Sequence, residues 1–457
     1  MPVIYGTAGE DELFAPIGTT LAYTMYGREA DDHLVGGDGA DVLQGEAGDD
    51  YLVGLIGADK LFGGAGLDQA FGGEGNDILD GGADEDLLGG DAGNDQLYGR
   101  DGDDVLDGGA GADVLRGGDG EDILHGGAGN DILYAGDGTG LYGGGFVYGE
   151  AGADTFHGDQ FGDIFYGGDD NDKGWGGGGI DRLEGGAGLD QLYGEDGDDL
   201  LYGGDGNDIL TGGAGLDRLE GGAGKDTLYG SVTDVMDGGA DNDVYYVEYV
   251  ADGFLNPPTL AITEGVDGGY DIIRSFQSIR LPDNVEALVL MDSAAPWLSG
   301  HGNALNNNIK GHNDHDRLYG YDGVDVLDGR AGSDYIVGGR GNDIMYSGDA
   351  IGGGGDIFEM NNESLFNGVL ETDTIYDMGN GDYLDWGRMD ANANLAGDQE
   401  FVIVSAFTKQ AGQMTLTEVG SWWYAKVDVT GDGSVDYQVR MESYGTGFDN
   451  NFELWIL

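Results

Sequence analysis

The chain has 457 residues, with 88 Asp and Glu against 18 Lys and Arg, so its formal charge is −70. That balance speaks against nucleic acid and bare anionic membrane as partners, and the lack of cysteine excludes disulfides and thiol nucleophiles. Glycine supplies 97 residues without a collagen period, which points to a different repeat.

The opening residues, Met1-Pro2-Val3-Ile4-Tyr5-Gly6, have no basic n-region and no apolar h-region. Neither a Sec signal nor a membrane-spanning run is expected. A lone nine-residue unit follows, Gly6 to Phe14, with Asp11 at its sixth position, and Ala15 to Tyr26 then break the pattern. Residues 1–26 read as an N-terminal repeat and cap, and repeats that begin at residue 6 leave no catalytic domain to be expected upstream.

From Gly27 to Tyr134 the unit Gly-Gly-x-Gly-x-Asp-x-Leu-x recurs in strict register; Gly72-Gly73-Glu74-Gly75-Asn76-Asp77-Ile78-Leu79-Asp80 is a clear copy. Its sixth positions are Asp32, Asp41, Asp50, Asp59, Asp68, Asp77, Asp86, Asp95, Asp104, Asp113, Asp122 and Asp131. Disorder needs neither register nor an apolar column, so a fixed short period dictates a stacked architecture. Glycines at positions 1, 2 and 4 suit a tight turn. Positions 7 to 9 alternate outward, inward, outward, as a very short strand does. Two units then close one coil of a flattened parallel helix with Leu between its two sheets. The Asp side chains of repeats i and i+2 form a ladder along each edge, ~4.8 Å apart.

Carboxylates ~5 Å apart repel by about 0.8 kcal/mol even at the dielectric of water. A hard cation removes that conflict. The ladder and its turn carbonyls offer only oxygen, which suits Ca²⁺ with its loose 6–8-fold coordination better than Mg²⁺ or Zn²⁺. This repeat resembles the calcium-binding nonapeptide of the RTX, or hemolysin-type, secreted proteins. The resemblance implies a parallel β-roll, export through a type I secretion apparatus, and folding triggered by calcium outside the cell.

Residues 135–148 interrupt the pattern, shift its frame by five residues, and put Gly140 where Asp belongs. Block 2 runs over 149–246, with strict repeats from Gly149 to Tyr229 and sixth positions Asp154, Asp163, Asp172, Asp181, Asp190, Asp199, Asp208, Asp217 and Asp226. An isolated copy at Gly238 carries Asp243. The eighth position of both blocks is Leu or Phe, except at Ala70 and Gly174. Trp175, Tyr193 and Tyr229 occupy ninth positions at multiples of 18, so they should share one outer face, where aromatic rings can serve a glycan or simply favour strand.

Residues 247–301 read as a strand-rich spacer that continues the solenoid without calcium. Leu281-Pro282-Asp283-Asn284-Val285-Glu286, followed by Gly302-Asn303-Ala304-Leu305-Asn306-Asn307, resembles a spacer found between repeat blocks of RTX proteins. Block 3, 302–355, adds Asp316, Asp325, Asp334 and Asp343. His301, His312 and His315 are expected at exposed positions of degenerate repeats, with a transition-metal site as the alternative. Asp11, Asp131, Asp154, Asp226, Asp243 and Asp343 border interruptions and are candidates for half-sites.

Residues 356–457 become aromatic and are similar to the C-terminal domain that follows the repeats in serralysin-type secreted proteases. Glu453-Leu454-Trp455-Ile456-Leu457 looks like that family's secretion signal, and equally like a buried last strand. Asp428, Thr430, Asp432, Ser434 and Asp436 follow EF-hand spacing, but the twelfth position is Val439 and the flanks read as strands, so a polar hairpin turn is the default. Trp422-Trp423-Tyr424 is expected to be mostly core.

No His-Glu-x-x-His and no Gly-x-Ser-x-Gly occurs, so neither a zinc protease nor a lipase elbow is expected. The expectation is an all-β chain: a calcium-binding parallel β-roll in several blocks with a C-terminal β-rich domain. It is read as secreted, non-catalytic, and structural, surface-associated or adhesive. Its partners would be calcium and the type I secretion apparatus, with cell-surface or matrix polysaccharide as a candidate. The alternative is an extracellular glycan-active enzyme, lyase- or epimerase-like, or an accessory module of a secreted enzyme.

Overall fold

A computed structural model describes residues 1–16, 18–136, 144–248, 260–266, 268–293, 295–348, 355–361, 370–378, 381–388, 402–403 and 405–443. The described residues form strands and turns, and no helix among them is long and apolar enough to cross a membrane. The chain divides into two compact units, Met1–Asp241 and Asn242–Leu457.

In the first unit, consecutive repeats go to opposite sheets, and repeats 18 residues apart pair in parallel. Strand Ile78–Ala83 lies between Lys60–Ala65 and Gln96–Asp101, with Leu61, Leu79 and Leu97 in register. Strand Leu87–Ala92 lies in the other sheet between Gln69–Glu74 and Val105–Ala110, aligning Ala70, Leu88 and Leu106. The eighth-position column is fully buried from Leu34 to Leu133 and forms the core between the sheets. Gly174 breaks that column, and the large rings nearby fill the room: Phe156 and Phe165 stack at 4.9 Å, and a Cβ on Gly174 would already touch Phe165.

Most strands of the first unit span six residues rather than the expected three, running through positions 7 to 9 and on to position 3. The reason lies at position 1, which faces inward without a side chain and so lets the sheet continue past it. The bend falls at positions 2 and 4, where φ is positive, as at Gly73 (103°) and Gly75 (149°). At Leu55 the fold holds even a bulky residue at φ 81°.

In the second unit the parallel pairing runs through the spacer. Val244–Val247, Ile272–Ser275, Ala287–Leu290 and Asn308–Lys310 align Tyr245, Ile273, Leu288 and Ile309, all buried. It also reaches past residue 356: Glu371–Met378 pairs with Ile344–Tyr346, and Ile357–Asn361 pairs with Tyr383–Arg388, as further coils. An antiparallel meander, Gln413–Val419, Trp422–Asp428 and Tyr437–Ser443, then lies beside Glu371–Met378. Trp422, Trp423 and Tyr424 are half-buried rather than core; Arg440 covers the Trp422 ring at 4.4 Å. The terminal segment 453–457 lies outside the described residues.

Candidate metal centre

Each sixth-position Asp is held by a short tether to the coil before it. The amide of Asp59 donates to Oδ1 of Asp77 at 2.6 Å, that of Asp77 to Asp95 at 2.7 Å, and that of Asp95 to Asp113 at 2.7 Å. One edge of the first unit carries Asp32, Asp50, Asp68, Asp86, Asp104 and Asp122, then Asp163, Asp181, Asp199 and Asp217. The opposite edge carries Asp41, Asp59, Asp77, Asp95, Asp113, Asp131, Asp154, Asp172, Asp190, Asp208 and Asp226. In the second unit Asp325 and Asp343 share one edge, and Asp316 and Asp334 the other.

The second carboxylate oxygen has a different fate. Oδ2 of Asp50, Asp59, Asp68, Asp77, Asp86, Asp95, Asp104, Asp113 and Asp122 is buried without a hydrogen-bond partner. It lies over the bare α-carbon of the first glycine of its own repeat. A Cβ on Gly54 would meet Asp59 Oδ2 at 2.5 Å and the carbonyl oxygen of Gly72, one coil on, at the same distance. Carboxylate and carbonyl oxygens therefore converge where glycine leaves space. Burial pushes these carboxyls up, partly offset by the amide bond and reinforced by neighbouring Asp: Asp59 and Asp68 to about 7, and Asp172 and Asp181 to about 8. Buried oxygens without donors, all-oxygen chemistry and a cradle the size of a missing side chain fit a hard divalent cation.

Some rungs depart from this pattern. Asp41 Oδ2 accepts the Gly37 amide, Asp163 Oδ2 that of Asp159, and Asp316 is taken up by His312, which contributes its amide and its ring Nδ1, each at 2.6 Å. At the interruption Gly145, not Gly140, takes the sixth place, and its amide donates to Asp163 Oδ1; Gly140 lies outside the described residues. Across the same interruption Asp131 still reaches Asp154 at 2.8 Å.

Several ladder residues escaped the sequence reading because their spacing is not 18. Asp217 tethers to Asp234 within block 2, and Asp243 to Asp271 and Asp271 to Glu286, so that Asp271 and Glu286 stand as rungs in a spacer expected to continue the solenoid without calcium. Asp334 tethers to Asp356, Asp356 to Asp382, and Asp343 to Asp373. Fifth positions form a second, exposed ladder: Asn76 Oδ1 accepts the amide of Asn94, and Asn94 Oδ1 that of Ala112. The recurrent Asn or Asp at position 5 was the available signal.

The remaining candidates resolve into structural roles. His301 is half-buried and stacks on Tyr319 at 4.6 Å, His312 is buried, and only His315 is exposed, its Nδ1 accepting the Ser333 amide. The expected exposure thus holds for one of the three, since His312 packs into its own turn beside Asp316. Trp175 and Tyr193 do share a face, in a column with Tyr134 and His157. Successive rings lie 4.9–5.5 Å apart and within 17° of parallel, so they cover each other's faces and present edges to solvent. Such a stack offers little to the face of a sugar. The 428–436 loop is a hairpin turn: Asp428 accepts the Gly431 and Gly433 amides, and Asp436 those of Val429 and Thr430.

The family pattern described as RTX calcium-binding nonapeptide repeat (4 copies) matches residues 26–61, 53–88, 86–115, 107–142, 148–183, 175–210, 202–232, 301–336 and 322–352, which together exceed half of the chain. No curated protein sequence matches significantly. Among solved structures, the chain is similar to the AlgE6R3 subunit of the Azotobacter vinelandii mannuronan C5-epimerase, at 20% identity over 30% of this chain and 71% of that one. The TM-score is 0.20, too low to carry weight about function.

Proposed function

The chain belongs to the family of RTX calcium-binding nonapeptide-repeat proteins, and from that premise we propose a secreted, calcium-loaded β-roll with a non-catalytic structural, surface-associated or adhesive role. The observation that carries the reading is the set of buried, unpartnered Oδ2 atoms along both edges. Sixth-position Asp and turn carbonyls would hold the ions, and each ion would supply the positive charge that lets neighbouring carboxylates stay ionised in a buried row. About twenty ions would bring the formal charge from −70 to roughly −30.

Calcium availability supports an extracellular site of action. With an affinity of ~10⁻⁴ M and ~2 mM free calcium, each site stabilises folding by roughly 1.8 kcal/mol; at sub-micromolar calcium it contributes almost nothing. The chain would then cross a type I channel unfolded and close on exit. The test is a calcium titration of purified protein followed by far-UV circular dichroism, with magnesium as control. A cooperative coil-to-β transition near millimolar calcium, absent with magnesium, is expected. A β spectrum independent of calcium would overturn the reading.

A second reading, glycan contact as an accessory or glycan-active protein, rests on one groove in the second unit. It encloses about 590 Å³ between Trp297, Arg317, Tyr319 and Tyr335. Trp297 is 44% exposed, and Arg317 lies 5.6 Å from its ring centre. Quenching of tryptophan fluorescence by polyuronate, abolished in Trp297→Ala, would favour this reading; turnover of the polymer would move the protein to the enzyme class.

A further inference from the structure

One turn of the second unit breaks the repeat in a way that adds a ligand. Strand Ala261–Thr263 points Ile262 inward, as the eighth position of a regular repeat does, so Glu264 stands where a regular repeat has its first glycine. In a regular repeat that place admits no side chain: a Cβ on Gly72 would meet Asp77 Oδ2 at 2.4 Å. Here the turn is longer: Asp271 lies seven positions after Glu264, whereas Asp77 lies five after Gly72. The extra length makes room for a carboxylate.

That carboxylate arrives at the ladder. One oxygen from each of Asp243, Glu264 and Asp271 lies within 4.8 Å of the other two. Asp271 is fully buried; its Oδ1 accepts the Asp243 amide at 2.9 Å, and its Oδ2 has no hydrogen-bond partner. Glu264 is held in place at both ends. The Tyr245 hydroxyl donates to its Oε1, and Asn284 Nδ2 donates to its backbone carbonyl at 2.9 Å. Three ionised carboxylates so close, one of them buried with an oxygen lacking a donor, repel one another, and a cation between them removes the conflict.

We propose that Asp243, Glu264 and Asp271 form a three-carboxylate calcium site, distinct in composition from the nonapeptide sites and tighter than they are. A regular pair of neighbouring coils offers two carboxylates, and affinity for Ca²⁺ rises with the number of charged ligands and the rigidity of the site. Glu264 brings the third charge, and the Tyr245 hydroxyl keeps it from swinging away. The site would hold its ion when the rest of the ladder has released its own, giving a folded seed in the non-repeat spacer. The inference rests on the calcium reading of the ladder, but Glu264 and Asp271 lie outside the repeats.

Native mass spectrometry of the full chain, with free calcium lowered from about 10⁻³ M to about 10⁻⁷ M, counts the ions directly. One ion should persist on the wild type after the others have left. In Glu264→Gln that ion should leave with the rest, its midpoint raised at least tenfold, while circular dichroism at saturating calcium is unchanged. If the Glu264→Gln chain does not fold, Tyr245→Phe decides, since it frees Glu264 and should raise the same midpoint. An unchanged last-ion midpoint in the variant that folds overturns the site, as does a wild type that releases all its ions together. A wild type that binds no calcium at millimolar concentration refutes the ladder reading itself.

Discussion

Asp77 uses its two carboxylate oxygens for different tasks. Oδ1 accepts the Asp59 amide, while Oδ2 is buried without a donor. Asp77→Asn keeps an amide acceptor but removes the charge, whereas Asp77→Ala removes both. Both variants should raise the calcium midpoint measured by circular dichroism, and Ala should cost about 0.5–1.5 kcal/mol more because it strands the Asp59 amide. Equal midpoints for the two would show that the tether contributes nothing. Gly75 is a sharper case. Its φ is 149°, and a Cβ there would fall 1.3 Å from the carbonyl oxygen of Gly57. Gly75→Ala should therefore cost more than the ~1 kcal/mol of a strained φ alone, read as a still larger rise in calcium midpoint. The need for glycine at positions 2 and 4 and the direction of the Leu column were legible in the repeat. The inward face of position 1 was not, because a residue without a side chain leaves no hydrophobic pattern to read.

A strand of this fold is interchangeable with the strand two repeats away. Leu79 and Leu97 sit in register in the same sheet, and the tether from Asp77 to Asp95 repeats the one from Asp59 to Asp77. Deleting residues 81–98 removes one coil and rejoins Asp80 to Gly99 in phase. Stability in such stacks is a sum of nearest-neighbour terms, so the shortened chain should bind two fewer calcium ions by native mass spectrometry and keep a single cooperative transition. Loss of folding would mean that the coils are not equivalent. The same equivalence explains what the sequence could and could not reveal. Where the period is strict, every rung from Asp32 to Asp131 was visible. Where an insertion loops out between coils, the tether spans 28 residues to Asp271, 22 to Asp356 and 30 to Asp373, and where one residue is missing it spans 17 to Asp234. A fixed-period reading passes over these residues, and it ended the solenoid near residue 355 although parallel coils continue through Tyr383–Arg388.

At the scale of the whole chain the charge is −70 and both units carry rows of buried carboxylates, and on the proposed calcium reading protons and calcium would be rivals for the same oxygens. Burial raises Asp59 and Asp122 to about 7 and Asp172 and Asp325 to about 8 in the folded chain, whereas an unfolded Asp titrates near ~3.9. With folded values above unfolded ones, the metal-free roll binds more protons than the coil between about pH 4 and pH 8. Its stability is greatest below the unfolded value and is lost as pH rises through the folded values. Calcium would reverse the trend, because an ion must displace those protons before it can bind. Calcium-depleted protein should therefore show more β structure near pH 4 than at pH 8, and the calcium midpoint at pH 6 should lie above that at pH 8. Far-UV circular dichroism across a grid of pH and free calcium checks both signs at once. A metal-free β signal that grows with pH would mean that the buried carboxylates are stabilised as anions by the protein alone, and calcium would no longer be needed to explain the ladder.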